Sequence, residues 1–121
     1  MITTTTIERN GVRCAMVHSD GLAITDAASA LELLMTAKYE VGTKNIVINK
    51  NLITEDFFIL STGLAGEILQ KLINYGARIA IYGDYTRYTS KPLHDFIYES
   101  NKGKDVFFAS TETEALEMLT R

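Results

Sequence analysis

Two short stretches carry hydroxyls and charges at spacings that can do chemistry. In Leu60-Ser61-Thr62-Gly63-Leu64, adjacent hydroxyls precede an apolar pattern in which Leu64, Ile68 and Leu72 repeat every four residues. They therefore fall near the start of a helix. A hydroxyl there faces free backbone N–H groups and the positive end of the helix dipole, where it either accepts a capping hydrogen bond or carries a phosphate. Ser61 and Thr62 are the candidate phosphoacceptors, and a helix cap through the Ser61 oxygen is the competing structural reading. Gly63 and Gly66 bracket Leu64-Ala65 in the first turns, where glycine is costly. They suggest close approach by another backbone or a ligand, and Gly63, Leu64 and Gly66 form the candidate interaction surface.

The second stretch begins at Gly83-Asp84-Tyr85, after the short apolar run 77–82. In an open α/β sheet, ligands bind in the crevice outside the carboxyl ends of the strands. Asp84, Tyr85, Arg87, Tyr88 and Lys91 are accordingly the ligand-binding candidates: the rings and the guanidinium can stack on a base or sugar, and Lys91 can meet an anion. The competing reading is a glycine turn with Asp84 capping a helix.

Other constellations fail on geometry. His18-Ser19-Asp20 holds triad residue types, but neighbours on a strand point to opposite faces and cannot form a relay. His94 is the second of two histidines, and neither has a cysteine or histidine at ligand spacing, so no metal is expected. Gly103-Lys104 precedes Asp105 where a P-loop needs Ser or Thr. Cys14 alternates with Val12 and Met16, the pattern of a small buried hydrophobe. No catalytic residue and no cofactor are assigned.

The chain has 121 residues, a net charge of −3 and one cysteine. That length suits one domain, 1–121, with roughly 6,500 Å² of folded surface expected from size scaling. The signs of charge are interspersed, without the Lys/Arg excess that binds duplex nucleic acid or an anionic membrane. A lone cysteine needs no oxidising compartment, the first eleven residues hold no apolar signal core, and no apolar run reaches membrane-spanning length. A cytoplasmic protein is the expectation.

The elements that must position the candidates follow from turn signals and hydrophobic period. Residues 3–9 and 12–18 flank Asn10-Gly11, a hairpin signal. Thr25 or Asp26 caps a helix to about Glu40; 46–48 reads as a buried strand; 54–75 carries a long helical pattern ended by Gly76; and 77–82 is a third strand. Ser90 with Pro92 opens a helix, 105–109 is the last strand, and Thr111 with Glu114 has capping-box spacing. The order β-β-α-β-α-β-α-β-α predicts an α/β fold: one mixed, mostly parallel sheet with helices on both faces and an antiparallel N-terminal hairpin at its edge. The edge run Thr3-Thr4-Thr5-Thr6 has neither charge nor proline, so a homodimer is expected, by edge pairing or helix packing.

Residues 46–83 resemble the central part of STAS domains, the sulphate-transporter and anti-sigma-factor-antagonist fold. There a strand and loop lead into Asp-Ser-Ser-Gly-Leu, an amphipathic helix, a glycine and another apolar strand. Ser61-Thr62-Gly63-Leu64 stands at the motif position with Leu60 in place of the aspartate, and Gly76, the strand 77–82 and Glu114-Ala115-Leu116 follow at similar spacing. The resemblance implies a STAS-like fold and a non-enzymatic regulatory or protein-interaction module. It also implies a phosphoacceptor at Ser61, because regulatory members are phosphorylated on the serine after the aspartate. The chain resembles a bacterial family, the domain of unknown function numbered 4180, through Glu55-Asp56-Phe57-Phe58, AGEILQKLINYG (65–76), AIYGDY (80–85) and FIYESNKGKDVFF (96–108). That resemblance implies a family and no mechanism. The alternative function is a small anionic ligand or nucleotide binding protein, or a minor enzyme, using the loop after 77–82.

Overall fold

A computed structural model describes residues 1–121. Strands β1 (Ile2–Arg9) and β2 (Val12–Ser19) pair antiparallel from Ile2↔Ser19 to Arg9↔Val12. Asn10 and Gly11 between them have φ of 54° and 77°, the left-handed pair that a type I′ hairpin turn requires. Helix α1 (Ala27–Glu40) starts at Asp26, whose Oδ1 accepts from the Ser29 N–H at 2.8 Å while Ser29 Oγ accepts from the Asp26 N–H at 3.1 Å. This reciprocal pair satisfies donors that the first turn of a helix leaves free.

The remaining strands are β3 (Asn45–Asn49), β4 (Arg78–Tyr82) and β5 (Val106–Ala109). They alternate with α2 (Leu64–Asn74) and α3 (Lys91–Asn101), and α4 (Glu112–Thr120) follows β5. The sheet order is β1-β2-β3-β4-β5, and every pair after the hairpin is parallel. Because consecutive strands are neighbours, crossovers of one hand put their helices on one face. That face holds the larger core, where Leu34, Ile68, Leu72 and Leu93 of α1 to α3 meet Ile46, Ile48, Ile79, Ile81 and Phe108. On the other face α4 alone brings Ala115, Leu116 and Leu119 against Cys14, Met16, Val47, Ala80 and Phe107. Both faces are thus covered, which is why the parallel strands are apolar without alternation. The folded surface is 6427 Å², close to the size-scaling expectation.

The long helix expected over 54–75 is not continuous. Two 3₁₀ turns, Glu55–Phe58 and Leu60–Thr62, precede α2. Gly63 separates them from it with a left-handed backbone at φ 76°. A continuous α-helix cannot pass through that conformation. The break lets Phe57 and Phe58 enter the larger core from an irregular segment, where they are 1% and 3% exposed.

The register sets up the functional end. Asn49, Tyr82 and Ala109 are partners across β3, β4 and β5. The next residues, Lys50, Gly83 and Ser110, therefore leave the sheet side by side at its carboxyl edge.

Candidate functional site

At that edge the segment 55–61 lies against the loop 84–90. Phe58, Ile59, Leu60 and Ser61 form one wall of a groove of about 360 Å³, and Arg87, Tyr88, Ser90 and Pro92 contribute to the other. The phosphoacceptor candidate and two ligand candidates, read separately along the chain, thus share one groove. Arg87 Nη2 donates to Glu55 Oε1 at 2.6 Å, and the Tyr88 hydroxyl donates to Glu55 Oε2 at 2.6 Å. The Tyr88 ring stacks on Phe58 with centroids 5.6 Å apart, and the Arg87 guanidinium lies 5.0 Å from the Tyr88 centroid. Beneath them Lys50, 5% exposed, holds its ammonium 5.2 Å and 5.1 Å from the Phe58 and Tyr88 centroids and 4.0 Å from Glu55 Oε1. The rings' negative faces and one carboxylate compensate the cation where water is scarce.

Ser61 does not cap α2. The cap residue is Gly63, without a side-chain bond. Thr62 does the local work: its Oγ1 accepts from the Leu64 N–H at 3.2 Å and reaches the Asp56 and Ile59 carbonyls at 3.0 Å and 2.9 Å. Ser61 is left exposed. Nor does anything approach the glycines. A Cβ at Gly63 or Gly66 would meet no atom within 4 Å; Gly63 serves the left-handed backbone, and Gly66 faces open space beside a shallow groove between α2 and α3.

Asp84 and Tyr85 belong to a different space, a cavity of about 550 Å³ beyond β4 and β5 whose lining includes Gly83, Thr86, His94, Ile97 and Ser110. Asp84 is not a helix cap. Its Oδ1 accepts from both the Thr86 N–H (2.9 Å) and hydroxyl (2.6 Å), a local turn. The Tyr85 hydroxyl donates to the Ile81 carbonyl at 2.7 Å. Lys91 joins neither space: it pairs with Asp95 at 2.7 Å one helical turn on.

The sequence profile of the family described as Domain of unknown function (DUF4180) matches residues 9–119. The chain belongs to that family. No curated protein matches it. Among solved structures, this DUF4180 chain is similar to a Thermotoga maritima protein described as an anti-sigma factor antagonist, with 13% identity over 99% of this chain and 95% of that one and a TM-score of 0.49.

The electrostatics of the DUF4180 site follow from its bonds. The Thr86 hydroxyl first, and then its N–H, hold the Asp84 carboxyl below the usual carboxylate range, with Lys50 and Arg87 adding to the effect. Burial, with a smaller push from Tyr88, raises the Tyr85 phenol, so it stays protonated. Lys50, Glu55, His94 and Ser110 join these spaces although their residue types and spacing assign them no role there. Lys50 and Ser110 had the same signal as Asp84, a position just past a parallel strand. Glu55 and His94 had none, because their roles depend on contacts 33 and 6 residues away.

Proposed function

We propose that this domain is a non-enzymatic regulatory module whose working surface is the 58–66 segment, switched by phosphorylation of Ser61, with Thr62 as the lesser acceptor. The observation that carries the reading is the division of labour between the two hydroxyls: Thr62 is tied into the start of α2, while Ser61 is exposed in a groove whose other wall carries Arg87. A phosphate on Ser61 would add a charge of about −2 and three strong acceptors. Arg87 is the nearby cation suited to meet it, since a guanidinium matches phosphate geometry bidentately. That contact competes with Glu55 and loosens the Arg87–Glu55–Tyr88 cluster, so one covalent event alters both walls. The exposed Ile59, the groove residue Leu60 and the exposed Gly63 supply an apolar surface for a protein partner.

Support for self-association comes from β1, which pairs only with β2 and leaves its outer edge open. The module is read as a cytoplasmic, bacterial homodimer. No helix is long and apolar enough to cross a membrane.

The test is phosphosite mapping by mass spectrometry on protein isolated from its own cells, paired with pull-downs of Ser61→Ala, Ser61→Asp and Arg87→Ala. The expected result is phosphate on Ser61 and a partner set that differs between the first two variants. Unmodified Ser61 and Thr62 together with identical partner sets overturn the reading.

A further inference from the structure

We infer that the cavity beyond β4 and β5 is a second binding site, selective for a small planar ligand that carries a cationic hydrogen-bond donor, of the amidinium or aromatic amine class. It lies on the other side of the 84–90 loop from the Ser61 groove and shares no lining residue with it.

The size of the cavity, about 550 Å³, is that of a small-molecule pocket. Its walls are apolar. The Tyr85 ring is fixed by its hydroxyl bond to Ile81 and packs edge-on against Phe108 with centroids 5.8 Å apart. Ile97 lines it as well. A fixed ring beside an aliphatic side chain favours a flat body.

Apart from the Ser110 hydroxyl, which can donate or accept, the polar side chains on the lining offer acceptors. Asp84 uses only Oδ1 for its two bonds to Thr86, which leaves Oδ2 of an ionised carboxylate for a ligand. The Thr86 hydroxyl spends its proton on Asp84, so it too can only accept. His94 Nε2 lies 2.6 Å from the Tyr88 carbonyl. A carbonyl only accepts, so Nε2 carries the proton and Nδ1 is the acceptor of the neutral ring. Ser110 keeps a free hydroxyl while its N–H donates to Glu114 Oε1 at 3.0 Å.

Cations are absent from the lining. Arg87 is held by Glu55 and Lys91 by Asp95, both outside the cavity. Lys50 and Arg87 act on Asp84 from outside the cavity, where both face Glu55; an anion would meet the Asp84 carboxylate on the lining itself, whereas a cationic donor meets Oδ2. The loop's chemistry thus selects against the anionic ligand that the residue types alone suggest.

Benzamidine is the probe, with neutral benzamide and inorganic phosphate as comparators, titrated by calorimetry or by chemical-shift changes in the whole chain. Asp84→Asn keeps the Oδ1 acceptor that holds Thr86 and removes only the charge and the Oδ2 acceptor, so the loop stays folded; Ile97→Trp fills the cavity from the other side. The expected result is saturable benzamidine binding, at least tenfold tighter than benzamide, weakened at least tenfold by Asp84→Asn, and lost in Ile97→Trp while both variants melt cooperatively. The inference is overturned by no saturable benzamidine binding, by binding that both variants leave unchanged, or by a preference for phosphate. A Ser61→Ala control should bind as the parent does.

Discussion

A single methyl group at position 83 probes how tightly the site is built. A Cβ on Gly83 would stand 2.5 Å from Lys50 Cγ and 2.7 Å from its Cδ. These are the inner atoms of a side chain that the Phe58 and Tyr88 rings hold from outside, so they cannot swing away freely. Gly83→Ala is expected to destabilise the fold by about 1–3 kcal/mol, the range for overpacking, as measured by urea denaturation. The same change in a Lys50→Ala background should cost less than half as much, because the obstructing atoms are gone. Equal costs in the two backgrounds would show that the Lys50 contact is not the cause.

Two glycines at the start of α2 carry opposite expectations, because one precedes the helix and the other lies inside it. Gly63 sits at φ 76°, and Gly63→Ala should cost about 1 kcal/mol for a left-handed backbone. Gly66 lies inside α2, where an added Cβ would meet nothing within 4 Å, and Gly66→Ala should gain about 0.5–1 kcal/mol from helix propensity. Paired thermal melts read the two signs, and like signs would contradict the assignment of Gly63 as the turn before α2. At α1, the Ser29 N–H holds the Asp26 carboxyl below its ordinary range. A carboxyl depressed in the folded state stabilises above its unfolded pKa of about 3.9 and loses that contribution as pH falls through the folded value. Asp26→Asn, which keeps the capping oxygen but not the charge, should be less stable than the parent at pH 7 and approach it as pH falls below about 4, because only the parent has a charge-dependent contribution to lose; parallel acid limbs would count against it. Caps of this kind made α1, α3 and α4 legible in the sequence, because Asp26, Ser90 and Thr111 act on residues three positions away. The 54–63 segment was not, since Phe57, Phe58 and Leu60 have the same apolar period whether they lie on a helix or in 3₁₀ turns. Both halves of the candidate site were visible as segments. Their meeting across the groove was not, because it depends on the register that sets β3 beside β4.

On the scale of the whole molecule, the eight residues of β1 leave one side of the sheet unpaired, and an open edge is a template for a second strand. Light scattering at tens of micromolar should give about 27 kDa, twice the 13.5 kDa of one chain, as a two-fold dimer requires. Thr3→Lys with Thr6→Lys should return the mass to that of one chain, since like charges face each other across a two-fold edge; a constant mass of 13.5 kDa in the parent excludes the dimer. The asymmetry of the layers has its own consequence. One sheet face is closed by three helices and the other by α4 alone, and Cys14, fully buried, lies beneath α4. Burial also raises its thiol, so it reacts only when that cover lifts. The chain therefore carries a chemical clock for the detachment of one layer. The rate at which a soluble disulfide reagent labels Cys14 should report an opening free energy smaller than that of global unfolding. Leu119→Ala, which trims α4 where it packs on the sheet, should accelerate labelling more than it accelerates loss of the hairpin's amide protection. Equal acceleration would mean that α4 and the sheet come apart as one unit.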